Sequence, residues 1–388
     1  MPGRMDQLSS VARRGFMRWS AFGLALTACF VVSGAEAPRG MPFSYSIIDL
    51  GTLGGFSSVA LDINELGHVV GGADLSNGDR HAFFWADGAM TDLGTLGHPN
   101  SEAEGINELD QVVGISTNTG SIADAFIWQN GQMTEIGPNQ ISKSAYKIND
   151  AGQVVGVHIT QGDQHPFIWQ SGVLTDLHPP GSDYGDAWDI NESGVAVGAS
   201  AIVSPPGPYR WENGVLTALG NLGIANGSAQ AINDAGQIVG WSMVPNNPNP
   251  HAFFWKNSVM ENIGQLGQCD WSDSDDVNNQ GEIIGMCIRD GYHAGFYYEP
   301  AAGFWMLEDL LPPQAGWTEL NSKAINDQGQ IVGAGTINGR RHAFLMNRQP
   351  PIPAIGAGGF IVLVVFVSLA GIWISRRAER RHEDWIGR

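Results

Sequence analysis

The chain is poor in cysteine, in basic side chains and in long apolar runs, and each shortage excludes something. Three cysteines occur in 388 residues, one of them, Cys29, in an N-terminal apolar segment. A disulfide framework therefore does not hold the fold. One pair, Cys269 and Cys287, is left for a single bridge in an oxidising compartment. Between Gly40 and Pro350 there are 10 Lys plus Arg against 34 Asp plus Glu, a net charge of −24. A surface this acidic repels phosphate backbones and argues against a nucleic-acid partner. No Gly-rich phosphate loop, nucleophile elbow or zinc-binding helix motif is written in the chain, so no catalytic residue is assigned.

Apolar runs are confined to the two ends. Arg4, Arg13, Arg14 and Arg18 precede the apolar stretch Trp19 to Val32, which is followed by Ser33, Gly34 and Ala35. Basic, apolar and small residues in that order predict a cleaved export signal over residues 1–37. The route is open: RRGFMR (13–18) resembles a twin-arginine signal, LTAC (26–29) resembles a lipoprotein signal, and an ordinary secretory signal is the third reading. At the other end, Pro350 to Ser375 carries no charge. About 22 helical residues (354–375) rise about 33 Å, enough to cross a bilayer, which predicts one C-terminal transmembrane helix. Residues 347–353 read as a linker. Arg376, Arg377, Arg380 and Arg381 follow and place 376–388 in the cytoplasm. PPIPAIG, the apolar helix and the arginine cluster together are similar to a PEP-CTERM-type sorting signal, without its Pro-Glu-Pro. That resemblance implies an exosortase-like processing enzyme. The middle of the chain is expected to be periplasmic or extracellular.

That middle is a repeat. An apolar residue followed by Asn recurs at Asn64, Asn107, Asn149, Asn191, Asn233, Asn278 and Asn326, with spacings of 43, 42, 42, 42, 45 and 48. Three residues after each anchor stand Gly67, Asp110, Gly152, Gly194, Gly236, Gly281 and Gly329. These are residues that accept positive φ, so the motif predicts a tight hairpin turn with Asn bonding its own backbone. Four residues before each anchor the side chain is always small: Ala60, Ala103, Ala145, Ala187, Ala229, Ser274 or Ser322. After the turn comes VVG, IVG or IIG in most copies, then a block typified by HAFFW (81–85, 251–255), then one typified by MTDLGTLG (90–97). Four short β segments in about 43 residues is the size of a propeller blade. The phase predicts closure. YSIIDLGTLGG (45–55) is a fourth segment with no third before it, and HAFLM (342–346) is a third with no fourth after it. The expected fold over 43–346 is all-β, a monomeric seven-bladed β-propeller closed by an N-terminal strand.

The grammar of DLGTLGG, IN-X-X-G-X-VVG and HAFxW over about Tyr45 to Met346 is similar to the HAF-repeat family of probable extracellular bacterial proteins. The resemblance implies repeat architecture and an extracellular location. It brings no catalytic residues.

Candidate site residues are those the repeat does not require. His81, His165, His251, His293 and His342 share one repeat position and read as scaffold. CDWSDSDD (269–276) offers Asp270, Asp273, Asp275 and Asp276 as hard oxygen ligands for calcium, against the plainer reading of a solvated acidic segment. The connections after VVG and after DLG fall on one face of the disc. They collect Trp271, Tyr292 and Trp317 with Asp270 and Asp290, which suits a glycan or an envelope protein if the rings are exposed. The expected function is a binding module. The alternatives are a lyase or hydrolase acting on polysaccharide, and a structural envelope component.

Overall fold

The computed structural model describes residues 43–349, apart from 118–122, 139–141, 161 and 179–183. The predicted export signal and the predicted membrane span lie outside the described residues. No helix among the described residues is long and apolar enough to cross a membrane.

The chain forms seven four-stranded antiparallel sheets. Their first strands are Gly54–Ile63, Asn100–Ile106, Lys143–Ile148, Asp189–Ile190, Gly227–Ile232, Trp271–Val277 and Thr318–Ile325, in blades 1 to 7. Each touches the first strand of the next blade, and Thr318–Ile325 touches Gly54–Ile63. These strands are therefore innermost, and the seven sheets close a ring: a seven-bladed β-propeller. The closure follows the predicted phase. Ser44–Gly51 pairs with Arg340–Gln349, Tyr45 opposite Arg348 and Ile48 opposite Leu345. The seam is also tied by side chains. The Arg348 guanidinium donates to the Tyr45 hydroxyl (3.2 Å) and to Glu282 Oε1 (2.6 Å), and it lies 4.3 Å over the Phe43 ring.

Local chemistry explains the repeat. The first strand carries a bulge just after its small residue, for example between Ala145 and Lys147. The bulged backbone presses on the glycine of VVG. A Cβ on Gly156 would lie 1.9 Å from the Ser144 carbonyl oxygen, and one on Gly71 would lie 2.0 Å from that of Val59. Only glycine fits. The small residue four before each Asn is fully buried for the same reason, Ala60, Ala103, Ala145 and Ala229 all having no exposed surface.

The apolar core is seven clusters, one between each pair of adjacent blades. Between blades 1 and 2, for instance, Val70, Ala82 and Leu93 meet Ala103, Ile106, Val112 and Phe126. In most clusters the branched residues of VVG, IVG or IIG meet the phenylalanine of the third strand, as Val70 and Val112 meet Phe126; the cluster between blades 3 and 4 has no phenylalanine. Cys269 and Cys287 are joined in a disulfide, with Cα atoms 5.5 Å apart, inside the cluster between blades 5 and 6.

The anchor asparagines do more than the expected turn. The residue three after each has positive φ in every copy, from 55° at Asp110 to 79° at Gly281. Asn149 Oδ1 accepts from the Gln153 N–H (2.9 Å), capping its own turn, while its Nδ2 donates to the Asn191 carbonyl of the next blade (3.0 Å). The same inter-blade bond runs from Asn64 to Asn107, Asn107 to Asn149, Asn191 to Asn233, Asn233 to Asn278 and Asn278 to Asn326. Asn326 Nδ2 returns to the Asn64 carbonyl at 3.0 Å. Seven buried side-chain amides thus form a closed circuit around the axis.

Candidate functional site

The Asn turns gather at one mouth of the central channel. The residue after each anchor is Glu65, Glu108, Asp150, Glu192, Asp234, Asn279 or Asp327, acidic in all blades but one. These side chains form a second ring. The Glu65 N–H donates to Glu108 Oε1 (2.8 Å), the Glu108 N–H to Asp150 Oδ1 (2.9 Å), and so on to the Asp327 N–H, which donates to Glu65 Oε1 (2.7 Å). Burial, reinforced by neighbouring carboxylates, pushes the carboxyls of Glu65, Glu108 and Glu192 up.

Beneath the ring lies a cavity of about 180 Å³, bounded in part by Asp62, Lys147, Asp189 and Asp276. Lys147 Nζ donates to Asp62 Oδ1 at 2.5 Å, joining blades 3 and 1. Burial acts to lower the Lys147 ammonium, but Asp62, Asp276 and Asp189 override it, and it is held firmly protonated. The second oxygens of Asp62, Asp189 and Asp276 accept the N–H groups of Ile106, Ile232 and Ile325, each from the following blade (2.8–2.9 Å). Burial pushes the Asp276 carboxyl up to about 7.

Deeper in, the bulge residues of the seven first strands are Leu61, Glu104, Tyr146, Trp188, Gln230, Asp275 and Lys323, no two alike. Each is partly exposed where its preceding neighbour is buried. The Tyr146 and Trp188 rings stack with centroids 4.5 Å apart. Lys323 Nζ donates to Asp275 Oδ1 at 3.1 Å. Burial and then Glu102 push Glu104 up to about 8, and burial and then Asp275 raise Asp273 well above the carboxylate range. Three acceptors in this layer and the next, Asp273 Oδ1, Asp275 Oδ2 and Asn321 Oδ1, are out of solvent and have no hydrogen-bond partner. Buried acceptors of this kind are costly unless something donates to them. The channel is thus acidic along blades 6, 1 and 2, with Lys323 of blade 7 paired to Asp275 between them, and an aromatic pair comes from blades 3 and 4. That combination suits an ammonium or guanidinium group, which takes hydrogen bonds from carboxylates and sits favourably over ring faces.

The chain is similar to solved β-propellers. The β-propeller domain of the Trilobed protease from Pyrococcus furiosus matches with a TM-score of 0.50 at 11% identity, over 77% of this chain and 98% of that one. TolB from Acinetobacter baumannii matches with a TM-score of 0.43 at 11% identity, over 73% and 80%. A puromycin-hydrolyzing peptidase of Mycobacterium tuberculosis gives 0.48 at 11%, over 71% of this chain and 48% of that one. No family model and no curated protein matches. At such identities the likeness is one of fold. The Trilobed protease domain has an open velcro topology, whereas here the N-terminal strand closes the last blade.

The sites expected from sequence are distributed differently. Trp317 is 9% exposed and packs edge-on against Phe344 in the cluster between blades 6 and 7, so it is core and not part of an exposed aromatic face. The long seventh connection, with its 3₁₀ turn Leu307–Leu310, provides the apolar bed on which it lies. Tyr292 is 51% exposed, and Trp271 is half-buried at the start of its strand. Asp270 Oδ2 accepts the Asp290 N–H at 3.1 Å. The acidic run does not converge on one point: Asp270 is spent on that turn, Asp275 on Lys323, and Asp276 on two backbone N–H groups. Asp273 and Asp275 enter the channel instead.

Four of the five recurrent histidines, all but the exposed His293, tie the third strand of a blade to its fourth. His81 Nδ1 and Asp92 share a hydrogen bond of 2.9 Å, His165 and Asp176 one of 2.7 Å, and His342 and Asp49 one of 3.0 Å across the seam. His251 meets Asn262 at 3.2 Å, and in blade 2 Asp124 takes the third-strand position and meets His98 at 2.8 Å. The channel residues had a signal in the sequence that loop reading passes over. Between the fixed small residue and the fixed apolar-Asn pair is a two-residue slot reading LD, EG, YK, WD, QA, DD and KA in the seven copies. A slot that varies inside an otherwise repeated block marks the positions freed from scaffold duty.

Proposed function

We propose that the protein is an exported, membrane-anchored binding module of the HAF-repeat type, which receives a cationic group of a partner in the acidic channel of its propeller. The partner class that fits is a basic peptide segment of an envelope protein, presenting a lysine, an arginine or a chain terminus. The observation that carries this reading is the set of buried, unpartnered acceptors Asp273 Oδ1, Asp275 Oδ2 and Asn321 Oδ1 in a channel faced by the Tyr146–Trp188 stack. A cation would satisfy them and ionise neighbouring carboxyls now held up by burial. Binding would therefore release protons and strengthen as pH rises from about 5 to 8.

The test is titration of the protein with a lysine-rich peptide, an acidic peptide and a neutral oligosaccharide, at low and high salt. The lysine-rich peptide should bind, more weakly in high salt and at pH 5. Asp273→Asn and Trp188→Ala should each weaken it. Binding of the neutral oligosaccharide in preference to the basic peptide, or affinity indifferent to both substitutions, would reject the channel as the site. A second reading, a hydrolase or lyase acting on polysaccharide, is favoured by the carboxyl of Glu104, held at about 8, a value suited to an acid catalyst near neutral pH. Release of new reducing ends from envelope polysaccharide, lost in Glu104→Gln, would decide for it.

A further inference from the structure

Blade 3 departs from its sisters at one point. In blades 1 and 7 the third-strand histidine and a fourth-strand aspartate form a pair, in blade 5 the partner is Asn262, and the residue opposite the histidine on the second strand is small: Ala73 faces His81, Ser242 faces His251, and Gly335 faces His342; in blade 6 His293 faces Ile288. In blades 2 and 4 the corresponding residues are Ser116 and Ser200. In blade 3 it is His158, directly opposite His165. His158 and His165 are 7% and 4% exposed, so both rings are inside the protein. His158 Nε2 is out of solvent and has no hydrogen-bond partner; it points toward Asp176 Oδ2 at 3.6 Å, too far for a hydrogen bond. His165 Nδ1 lies 2.7 Å from the same oxygen. His158, His165 and Asp176 each offer a ligand atom, and the three atoms lie within 4.8 Å of one another. Among the described residues no other group of three does so.

We infer that blade 3 carries a site for one divalent transition metal of the zinc class, held by His158, His165 and Asp176. Two imidazoles and one carboxylate are the donor set such ions take, and hard cations such as calcium do not favour it. The 3.6 Å between His158 and Asp176 is close to the edge of a tetrahedron with bonds of about 2 Å, about 3.3 Å. The ion would replace the His165–Asp176 hydrogen bond and give His158 Nε2 the partner it lacks. Asp176 is exposed and borders a cavity of about 920 Å³ between blades 3 and 4, which gives the ion an entry and leaves a fourth position for water. His178, bordering the same cavity, packs its ring 5.9 Å from that of His165, and its Nε2 and Ser200 Oγ are 2.9 Å apart. Gly185 leaves room for that ring, since a Cβ there would meet its Cε1 at 2.3 Å. This assignment is independent of the channel.

The test uses the protein stripped with a chelator, titrated with Zn²⁺ by calorimetry and with Co²⁺ by visible absorption. Wild type should take up one equivalent in blade 3, with d–d bands of a nitrogen-and-oxygen site, and its melting temperature should rise. His158→Ser restores the residue that Ser116, Ser200 and Ser242 supply in sister blades, so it should fold, and it should lose that equivalent together with the bands. His81→Ala, which breaks a pair without a third ligand, should keep both. No stoichiometric uptake by wild type would overturn the assignment. So would uptake undiminished in His158→Ser, because ions held only by the acidic channel would survive that substitution.

Discussion

The asparagine circuit makes a quantitative claim that one position can test. Asn149 caps its turn through Oδ1 and fastens blade 4 through Nδ2. Asn149→Ala removes both bonds: it leaves the Gln153 N–H without an acceptor, while the buried Asn191 carbonyl loses one of its two donors and keeps the Gly194 N–H at 3.0 Å. At about 1–3 kcal/mol for the unsatisfied N–H and about 0.5–1.5 kcal/mol for the lost inter-blade bond, the expected loss is about 1.5–4.5 kcal/mol. Asn149→Asp separates the two roles. It keeps an acceptor for the Gln153 N–H but replaces the Nδ2 donor with an oxygen that faces the Asn191 carbonyl and Gln153 Oε1, which Nδ2 contacts at 3.0 and 2.8 Å. Acceptor against acceptor in a buried site should cost about as much as the alanine or more, about 3–5 kcal/mol. Urea denaturation of wild type and both variants, followed by tryptophan fluorescence, measures the difference through the midpoint at constant m. If Asn149→Asp unfolds within about 0.5 kcal/mol of wild type while the alanine is costly, the turn cap accounts for the asparagine and the inter-blade circuit contributes nothing.

Three further outcomes are expected. Deleting Phe43 to Leu50 should bare the edge of the last blade and remove the Tyr45 and Phe43 contacts to Arg348. A large fall in melting temperature and self-association on size exclusion would follow; a truncated protein that melts like the parent would refute the seam's importance. Reducing the disulfide, or Cys287→Ser, should cost about 3 kcal/mol, from the entropy of releasing a loop of about 18 residues, and the oxidised protein should show no alkylatable thiol at Cys269 or Cys287. Glu104 is raised in the fold from 4.5 to about 8. A carboxyl raised on folding binds its proton more tightly in the native state, so stability is greatest below about pH 4.5 for this group and falls as pH rises toward 8. At 1.36 kcal/mol per unit the upper bound is about 5 kcal/mol. Glu104→Gln should flatten the decline in melting temperature between pH 5 and 8, and an unchanged slope would show that the residue ionises freely.

The architecture was legible because repetition writes it out. The glycine of VVG, the small residue before each Asn and the unpaired end segments are demands of backbone geometry, made the same way in every copy. Asp110 could be read as a positive-φ residue because the other copies have glycine there. The asparagine's reach to the next blade was not legible, since a local turn already explained the residue. Trp317 misled for a related reason. A single-copy aromatic in a long connection looks free until the insertion around Leu307–Leu310 is seen to fold back over it. The channel side chains occupy the one slot in which all seven copies differ, so the repeat carries no shared signal for them. His158 carries no signal in the sequence, because it stands at a second-strand position that no motif marks and its neighbour His165 is accounted for as scaffold.

The seam orders events in time. Ser44–Gly51 leaves the ribosome first, and its partner Arg340–Gln349 leaves last among the described strands. Joining two segments about 300 residues apart in an open chain would cost about 5 kcal/mol of loop-closure entropy. Blades 1 to 6 can stack as they emerge, and each brings the two ends nearer, so most of that cost is met before the last strand arrives. Until then the first strand made has no sheet to join, and the third strand of the seventh blade has no outer neighbour. Any handling of the chain during synthesis or transport must keep those two edges apart from other chains, because each is a template for the wrong partner until it meets the right one.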